Sequence, residues 1–391
     1  MKLADRVSQL KPSATLSIAA KAQELKAQGK DILSLSIGEP DFPTPKHICD
    51  AAKKALDDGF TKYTDVPGIP ALRAAVAGYF NSQYDAGAGP EHIVVSNGGK
   101  HSIYNIFQAL LNPGDHVLLP APYWLSYPSL VELAGAKPIT IATSPEKNFK
   151  VTPLDLEKSL TPKTRLLIFN SPSNPSGVCY TQAEFDAIAE WGVDKGIIVF
   201  SDEVYDRLVF DGMKGISMCS WWKKYPDNFV IVNSVAKTFS MTGWRVGYSL
   251  ASAALSKGMS NLQAHATSNI CSIAQKAALA ALTGGFVEAE AMRAAFERRR
   301  DLAYKIISAW PDVICPRPQG AFYIFPDVHR HYNERWPDST ALCSALLDDA
   351  GVALVPGVSF GDDRCIRISF ATSDEVLEAA LKRVEQALFK K

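Results

Sequence analysis

Residues 233–248, NSVAKTFSMTGWRVGY, place Lys237 among hydroxyl-bearing neighbours, with Arg245 eight positions further on. A deprotonated lysine amine attacks an aldehyde, and an arginine offers a bidentate fork to phosphate or carboxylate oxygens. Asp202, in SDEVY, directly follows the apolar stretch IIVF. A carboxylate buried there is costly unless it meets a positive partner, and Lys237 carries the same requirement. Gly98 and Gly99, after HIVV, would let backbone N–H groups approach an anion at the positive end of a helix. Ser234 adds a hydroxyl. Taken singly, each has a plain alternative: a tight turn, a solvated loop residue or an ordinary ion pair. Neither GxGxxG nor GxxxxGK[ST] occurs at these places, so a nucleotide is not the natural guest.

These residues need elements that bring them together. Between about residues 90 and 250, five short apolar runs alternate with helical patterns: HIVV (92–95), HVLLP (116–120), RLLIF (165–169), IIVF (197–200) and FVIV (229–232). This pattern predicts an α/β fold with a mainly parallel sheet. The runs are followed by SNGGK, APYW, NSPSNPSG, SDEVY and NSVAK. In open α/β sheets ligands sit beyond the carboxyl ends of the strands, so five polar stretches point to one crevice. After about residue 285 a long charged helix, mixed short elements and a last helix predict a smaller α+β domain. The division is residues 46–285 for the large domain, with an N-terminal arm (1–45) joining 286–391 in the smaller one. The three prolines of LSIGEPDFPTP suit an extended linker, and the RRR at 298–300 reads as the solvated face of a helix.

Composition excludes several classes. Forty-one basic and 41 acidic residues leave no net charge to favour nucleic acid or an anionic membrane. Seven scattered cysteines, none in a CxxC pair, suit a reducing cytoplasm and predict neither a disulfide framework nor a metal site. The first 25 residues read as amphipathic helix instead of signal peptide, and the uncharged run Val117–Val131 is broken by three prolines.

A cofactor that is at once an aldehyde, a pyridine and a phosphate would use every residue above: Lys237 as a Schiff base, Asp202 on the ring nitrogen, and Ser234, Arg245 and the glycine turn on the phosphate. Pyridoxal 5′-phosphate is that cofactor. SVAKTFSMTGWRVGY also resembles the lysine signature of fold-type I pyridoxal-phosphate aminotransferases, and NSPSNPSG, SDEVY, PAPYWLSYP and IRISFA match further blocks, from KPSAT to the last helix. The resemblance is greatest to the aspartate aminotransferase subgroup that also includes prephenate aminotransferases. It implies that Lys237 moves the substrate's α-proton, that Asp202 keeps the ring nitrogen protonated, and that Asn174 and Tyr205 bond the phenolic oxygen. Trp124 would stack on the ring, with Gly98, Gly99, Lys100, Ser234 and Arg245 around or beside the phosphate. Tyr63 would reach the phosphate of a second subunit in a homodimer with shared active sites. Arg367 and the backbone of Gly38 would take the α-carboxylate, with Trp124 and Asn174 beside the substrate, and residues 37–45 and the C-terminal domain would close over it.

In this subgroup a lysine after the Gly-Gly pair contacts a distal carboxylate, a place held here by Lys100, and Thr15 matches a second position nearby. The resemblance therefore implies amino-group transfer between aspartate or glutamate and oxaloacetate or 2-oxoglutarate by a ping-pong cycle. Prephenate, also with two carboxylates, stays open, and a C–S lyase would keep the same cofactor residues. A nicotinamide-dependent dehydrogenase would need the glycine fingerprint that its first β-α turn lacks. A regulator with an aminotransferase-like sensor would need a DNA-binding segment for which 391 residues leave no room.

Overall fold

The computed structural model describes residues 2–8, 10 and 14–389, and for residues 14–16 the backbone alone. A short β1 (Leu33–Ser34) precedes seven strands of one sheet: β2 (Ile93–Asn97), β3 (His116–Pro120), β4 (Lys137–Ile141), β5 (Thr164–Asn170), β6 (Ile198–Asp202), β7 (Phe229–Ser234) and β8 (Val246–Leu250). Their order is β2-β8-β7-β6-β5-β3-β4. The five predicted runs are all here. The sequence reading misses β4, a half-exposed edge strand of mixed polarity, and β8, whose apolar run is interrupted by Gly247. All pairings are parallel except those of β8, which runs antiparallel to both β2 and β7.

Local signals set where each strand begins. The helix Gln182–Lys195 starts at a capping box, with Thr181 N–H donating to Glu184 at 2.6 Å, and stops at Gly196, whose φ of +64° is the left-handed value a glycine adopts freely. Two residues later β6 enters the sheet. Every residue of β6 and β7 is buried, as expected for strands covered by helices on both faces.

The C-terminal part adds β9 (Tyr323–Ile324), β10 (Val352–Ala353), β11 (Val355–Pro356) and β12 (Ile366–Ser369). Strands β11, β12 and β9 form an antiparallel sheet, and β10 pairs in parallel with β1, so the N-terminal segment is built into this part of the molecule. LSIGEPDFPTP is extended, but it is packed on two sides instead of linking freely. Leu35 exchanges backbone hydrogen bonds with Ala353 and Ser369, and Thr44 Oγ1 donates to the Ser240 carbonyl at 2.7 Å.

The arginine triplet on helix Val287–Ile307 is not a solvated face. Arg298 is exposed, but Arg299 and Arg300 are buried. Arg299 forks onto Asp41 at 2.7 and 2.9 Å and also reaches Asp374, while Arg300 forks onto Asp211 at 2.8 and 3.0 Å. Consecutive helical residues point about 100° apart, so two of three neighbours can face inward when acids await them.

The Gly98–Gly99 turn is pressed against β8. A Cβ on Gly247 would lie 2.2 Å from the Gly99 nitrogen and 2.4 Å from the Gly98 carbonyl carbon. Gly247→Ala should therefore lower unfolding stability by about 1–3 kcal/mol through overpacking and displace the turn. Urea unfolding with a parallel phosphate titration checks this; an unchanged midpoint and phosphate affinity would show that the contact yields freely.

Candidate active site

Strand register carries the motif residues to one edge of the large sheet. Asn170 stands opposite Asp202, Asp202 opposite Val232, and Ser234 opposite Gly247. Because β8 runs the other way, its first residue Val246 pairs with Asn97 and delivers Arg245 to the same edge. A cavity of about 530 Å³ opens there, within the range of about 300–1,000 Å³ usual for small-molecule sites. Of the residues singled out in the sequence, all except Gly98, Tyr63 and Thr15 line it. Gly98 backs it, Tyr63 is 90% exposed outside it, and the side chain of Thr15 lies outside the described residues.

Asp202 is buried at the end of β6, accepting from the Tyr127 hydroxyl at 2.6 Å and the Val204 N–H at 3.3 Å. Burial pushes its carboxyl up to about 6, against the pull of those two donors and of Lys237. Lys237, half-buried, donates to the Gly38 carbonyl at 2.6 Å. Burial brings its ammonium down to about 8; Glu39 resists, Arg367 and Arg245 reinforce the fall, and Asp202 resists. Buried Arg367 donates to the Ser36 carbonyl at 2.8 Å and to Asn174 Oδ1 at 3.2 Å, and its guanidinium stacks 4.5 Å from the Tyr323 ring centre. Its Nε is buried without a hydrogen-bond partner.

At the turn, Gly98 adopts φ +84° and Gly99 opens the helix Gly99–Leu110. A Cβ on Gly98 would meet an Arg245 guanidinium nitrogen at 2.5 Å, so the absence of a side chain lets the cation and the helix N-terminus share one concavity. Ser234 Oγ faces the cavity while bonded to the Val246 carbonyl and the Ala236 N–H. Lys100 lies with its ammonium 4.9 Å from the centre of the Trp124 ring. Burial, then Arg245, lowers its pKa.

The sequence reading overlooks several residues that shape this site. Tyr127, in PAPYWLSYP, supplies the hydroxyl that holds Asp202. Asn170 donates to the Asp202 carbonyl at 2.9 Å and accepts from the Asn174 N–H at 2.9 Å. Tyr323 meets the Tyr205 hydroxyl at 3.1 Å. Glu39 accepts from Thr242 Oγ1 at 2.7 Å, fastening the 37–45 segment across the cavity mouth. Tyr127 and Asn170 sit inside quoted motifs or at a strand end and were findable there. Tyr323 comes from a separate sheet with no local signal.

The donor set fits pyridoxal phosphate: an anion cradle at a helix N-terminus beside a guanidinium, a buried carboxylate suited to a protonated ring nitrogen, and an amine whose lowered pKa suits condensation with an aldehyde. The orphaned Arg367 Nε leaves donor capacity for a carboxylate. For cofactor-free protein, the rate of loading with pyridoxal phosphate should rise about tenfold per pH unit and level off near pH 8, because only the neutral amine attacks. Stopped-flow absorbance checks this; a rise continuing through about pH 10 would mean an ordinary lysine.

The family model for "Aminotransferase class I and II" matches residues 30–384. Aspartate aminotransferase of Bacillus subtilis (strain 168) is 43% identical over 99% of this chain and 98% of its own length. Aspartate/prephenate aminotransferase of Cereibacter sphaeroides is also 43% identical, over 98% of each. The structure of Thermus thermophilus aspartate aminotransferase with maleate superposes with a TM-score of 0.93 at 40% identity, covering 99% of this chain and 100% of that one. With a mostly parallel sheet, a lysine at its carboxyl edge and likeness over nearly its whole length, this chain belongs to the class I and II aminotransferases, enzymes of fold type I that depend on pyridoxal phosphate.

Proposed function

We propose that the enzyme transfers the amino group of aspartate or glutamate to a 2-oxo acid, 2-oxoglutarate or oxaloacetate, in a ping-pong cycle. The observation that carries this reading is a single cavity holding Lys237 and Asp202 together with two cations suited to carboxylates, Arg367 and Lys100. Two fixed cations favour a substrate with two carboxylates. The maleate of the Thermus thermophilus structure, itself a dicarboxylate, supports the same choice. Prephenate also meets the requirement, and the Cereibacter sphaeroides relative bears that name.

When bound, pyridoxal phosphate supplies the aldehyde for the amine and a ring that accepts the electron pair released at the substrate's α-carbon. Gly98, Gly99, Ser234 and Arg245 would hold the phosphate, with Lys100 beside it. Asp202, ionised near neutral pH even with its carboxyl raised to about 6, keeps the ring nitrogen protonated. Tyr205 and Asn174 would hold the cofactor's phenolic oxygen, and Trp124 would lie against its ring. Arg367 takes the α-carboxylate in a bidentate pair, with the Gly38 backbone adjoining and Asn174 bracing the guanidinium. Lys237 would take up the substrate's α-proton and give it back, as an amine with a pKa of about 8 can do near neutral pH. Lys100, aided by Thr15, receives the distal carboxylate. Residues 37–45, moving with 1–36 and 286–391 relative to 46–285, exclude water once substrate is bound.

In this reading Tyr63 of a second copy completes the phosphate site, making the working unit a homodimer, and the enzyme acts in the cytoplasm. No helix among the described residues is long and apolar enough to cross a membrane.

A half-reaction screen tests the assignment. Aspartate and glutamate should convert the absorption of the loaded enzyme to that of the amino form, and oxaloacetate or 2-oxoglutarate should reverse it; release of pyruvate and ammonia would indicate elimination instead. Lys100→Ala should reduce kcat/KM for aspartate by about 10- to 100-fold, the worth of one charged hydrogen bond, and for monocarboxylic amino acids by less than about threefold. Equal losses would remove Lys100 from substrate choice.

A further inference from the structure

We propose that Gln263 is a positioning residue that couples the phosphate turn to the surface loop carrying Tyr63, so that cofactor occupancy and subunit association strengthen one another. The inference rests on the reading that Tyr63 serves a second copy's site.

Gln263 lies on helix Ala253–Ala266 with no exposed surface. Its amide makes four hydrogen bonds. Nε2 donates to the Val66 carbonyl at 2.9 Å and the Val95 carbonyl at 3.0 Å. Oε1 accepts from Ser96 Oγ at 2.7 Å and from Asn105 Nδ2 at 3.0 Å. These exhaust the capacity of a side-chain amide. One partner, Val66, belongs to the Tyr63 loop; Val95 and Ser96 belong to β2 just before Gly98; Asn105 lies on the helix that Gly99 opens. A direct backbone bond, Val95 N–H to the Pro67 carbonyl at 2.9 Å, joins the same two segments.

The loop is fastened along its length. Gln275, also without exposed surface, accepts from the Ile69 N–H at 2.7 Å and donates to Thr64 Oγ1 at 2.9 Å, and Ser272 donates to the Phe60 carbonyl at 2.8 Å. Tyr63 nevertheless remains 90% exposed. A large aromatic held out on an immobilised loop is presented to something, and the fastening runs back to the phosphate turn. A saturated amide in a dry interior cannot follow one partner without leaving another unpaired, so movements of the turn and of the loop are linked. Linkage between two binding events is reciprocal: phosphate in the turn favours the loop geometry that a second copy meets, and that contact favours phosphate.

The test compares holoenzyme with cofactor-stripped protein. Sedimentation equilibrium gives the dimer dissociation constant, and absorbance titration gives the affinity for pyridoxal phosphate. In the unaltered protein, saturating cofactor should tighten the dimer by about tenfold or more; in Gln263→Met, which keeps the volume and loses all four bonds, that tightening should fall by about threefold or more, leaving the part carried by Tyr63's own contact with the phosphate. Lowered thermal stability alone would leave that ratio unchanged. Ser96→Ala removes one of the four Gln263 bonds, together with a long one from Asn105 Nδ2 at 3.5 Å, and should give an intermediate ratio; it decides the question if Gln263→Met does not fold. Unaltered coupling in the deciding variant overturns the inference, as does a dimer that ignores cofactor or a protein that stays monomeric. The aspartate half-reaction on the same samples separates the two readings: full conversion without coupling sinks only the role of Gln263.

Discussion

Three charges at the carboxyl edge of the sheet are met by neutral partners: Asp202 by a hydroxyl and an N–H, Lys237 by a carbonyl, Arg367 by a carbonyl and an amide oxygen. Each is shifted by burial toward its uncharged form. Asp202, Glu39 and Lys237 offset one another only in part, and withdrawing charge from water costs several kcal/mol, so this site is unfavourable to fold in isolation. The surrounding core offsets it. Side chains such as Phe200, Val230 and Val232 have no exposed surface, and each contributes about 1.5–3 kcal/mol through burial. The same debt in solvation makes the cavity receptive to a ligand carrying complementary charge at three places.

The sheet topology decides that these charges share a cavity. Parallel strands align their carboxyl ends, which brings Asn170 and Asp202 side by side and places Ser234 one strand further along. The antiparallel β8 then lets a residue preceding a strand, Arg245, join residues that follow strands. Close approach of β8 to the glycine turn depends on two residues without side chains, Gly247, whose Cβ would strike the turn, and Gly98, whose Cβ would strike Arg245. Arg367 arrives from the small C-terminal sheet, and Gly38 from a segment threaded between that sheet and the large one.

Much of this was legible because local chemistry and global position coincide. Strands buried on both faces must be continuously apolar, and the polar residues at or just beyond their ends stand out, as Asp202 at the end of β6 and Lys237 three residues after β7 do. β8 escaped because a glycine needed for close packing breaks its apolar run. The arginine triplet was misread because its character depends on Asp41, Asp374 and Asp211, which lie far away in sequence. Tyr323 shows the same limit: it supports Tyr205 by a contact between elements, and spacing along the chain does not encode that contact.

The fork between Arg299 and Asp41 changes the scale of the object that closes the cavity. A bidentate pair whose guanidinium is withdrawn from solvent is screened little by salt, whereas exposed pairs fade over a Debye length of about 8 Å at physiological ionic strength. Glu39 and Asp41 are thus not the tip of a free flap. Asp41 is pinned to a 21-residue helix, which through Arg298 and Arg299 also grips Asp374 at the start of the last helix, while Glu39 is held by Thr242. Opening the mouth while keeping that fork intact moves this helix as well: Arg299 stands about 18 Å along the axis from its first residue, so a rotation at that end becomes a displacement at Asp41 and the neighbouring Gly38.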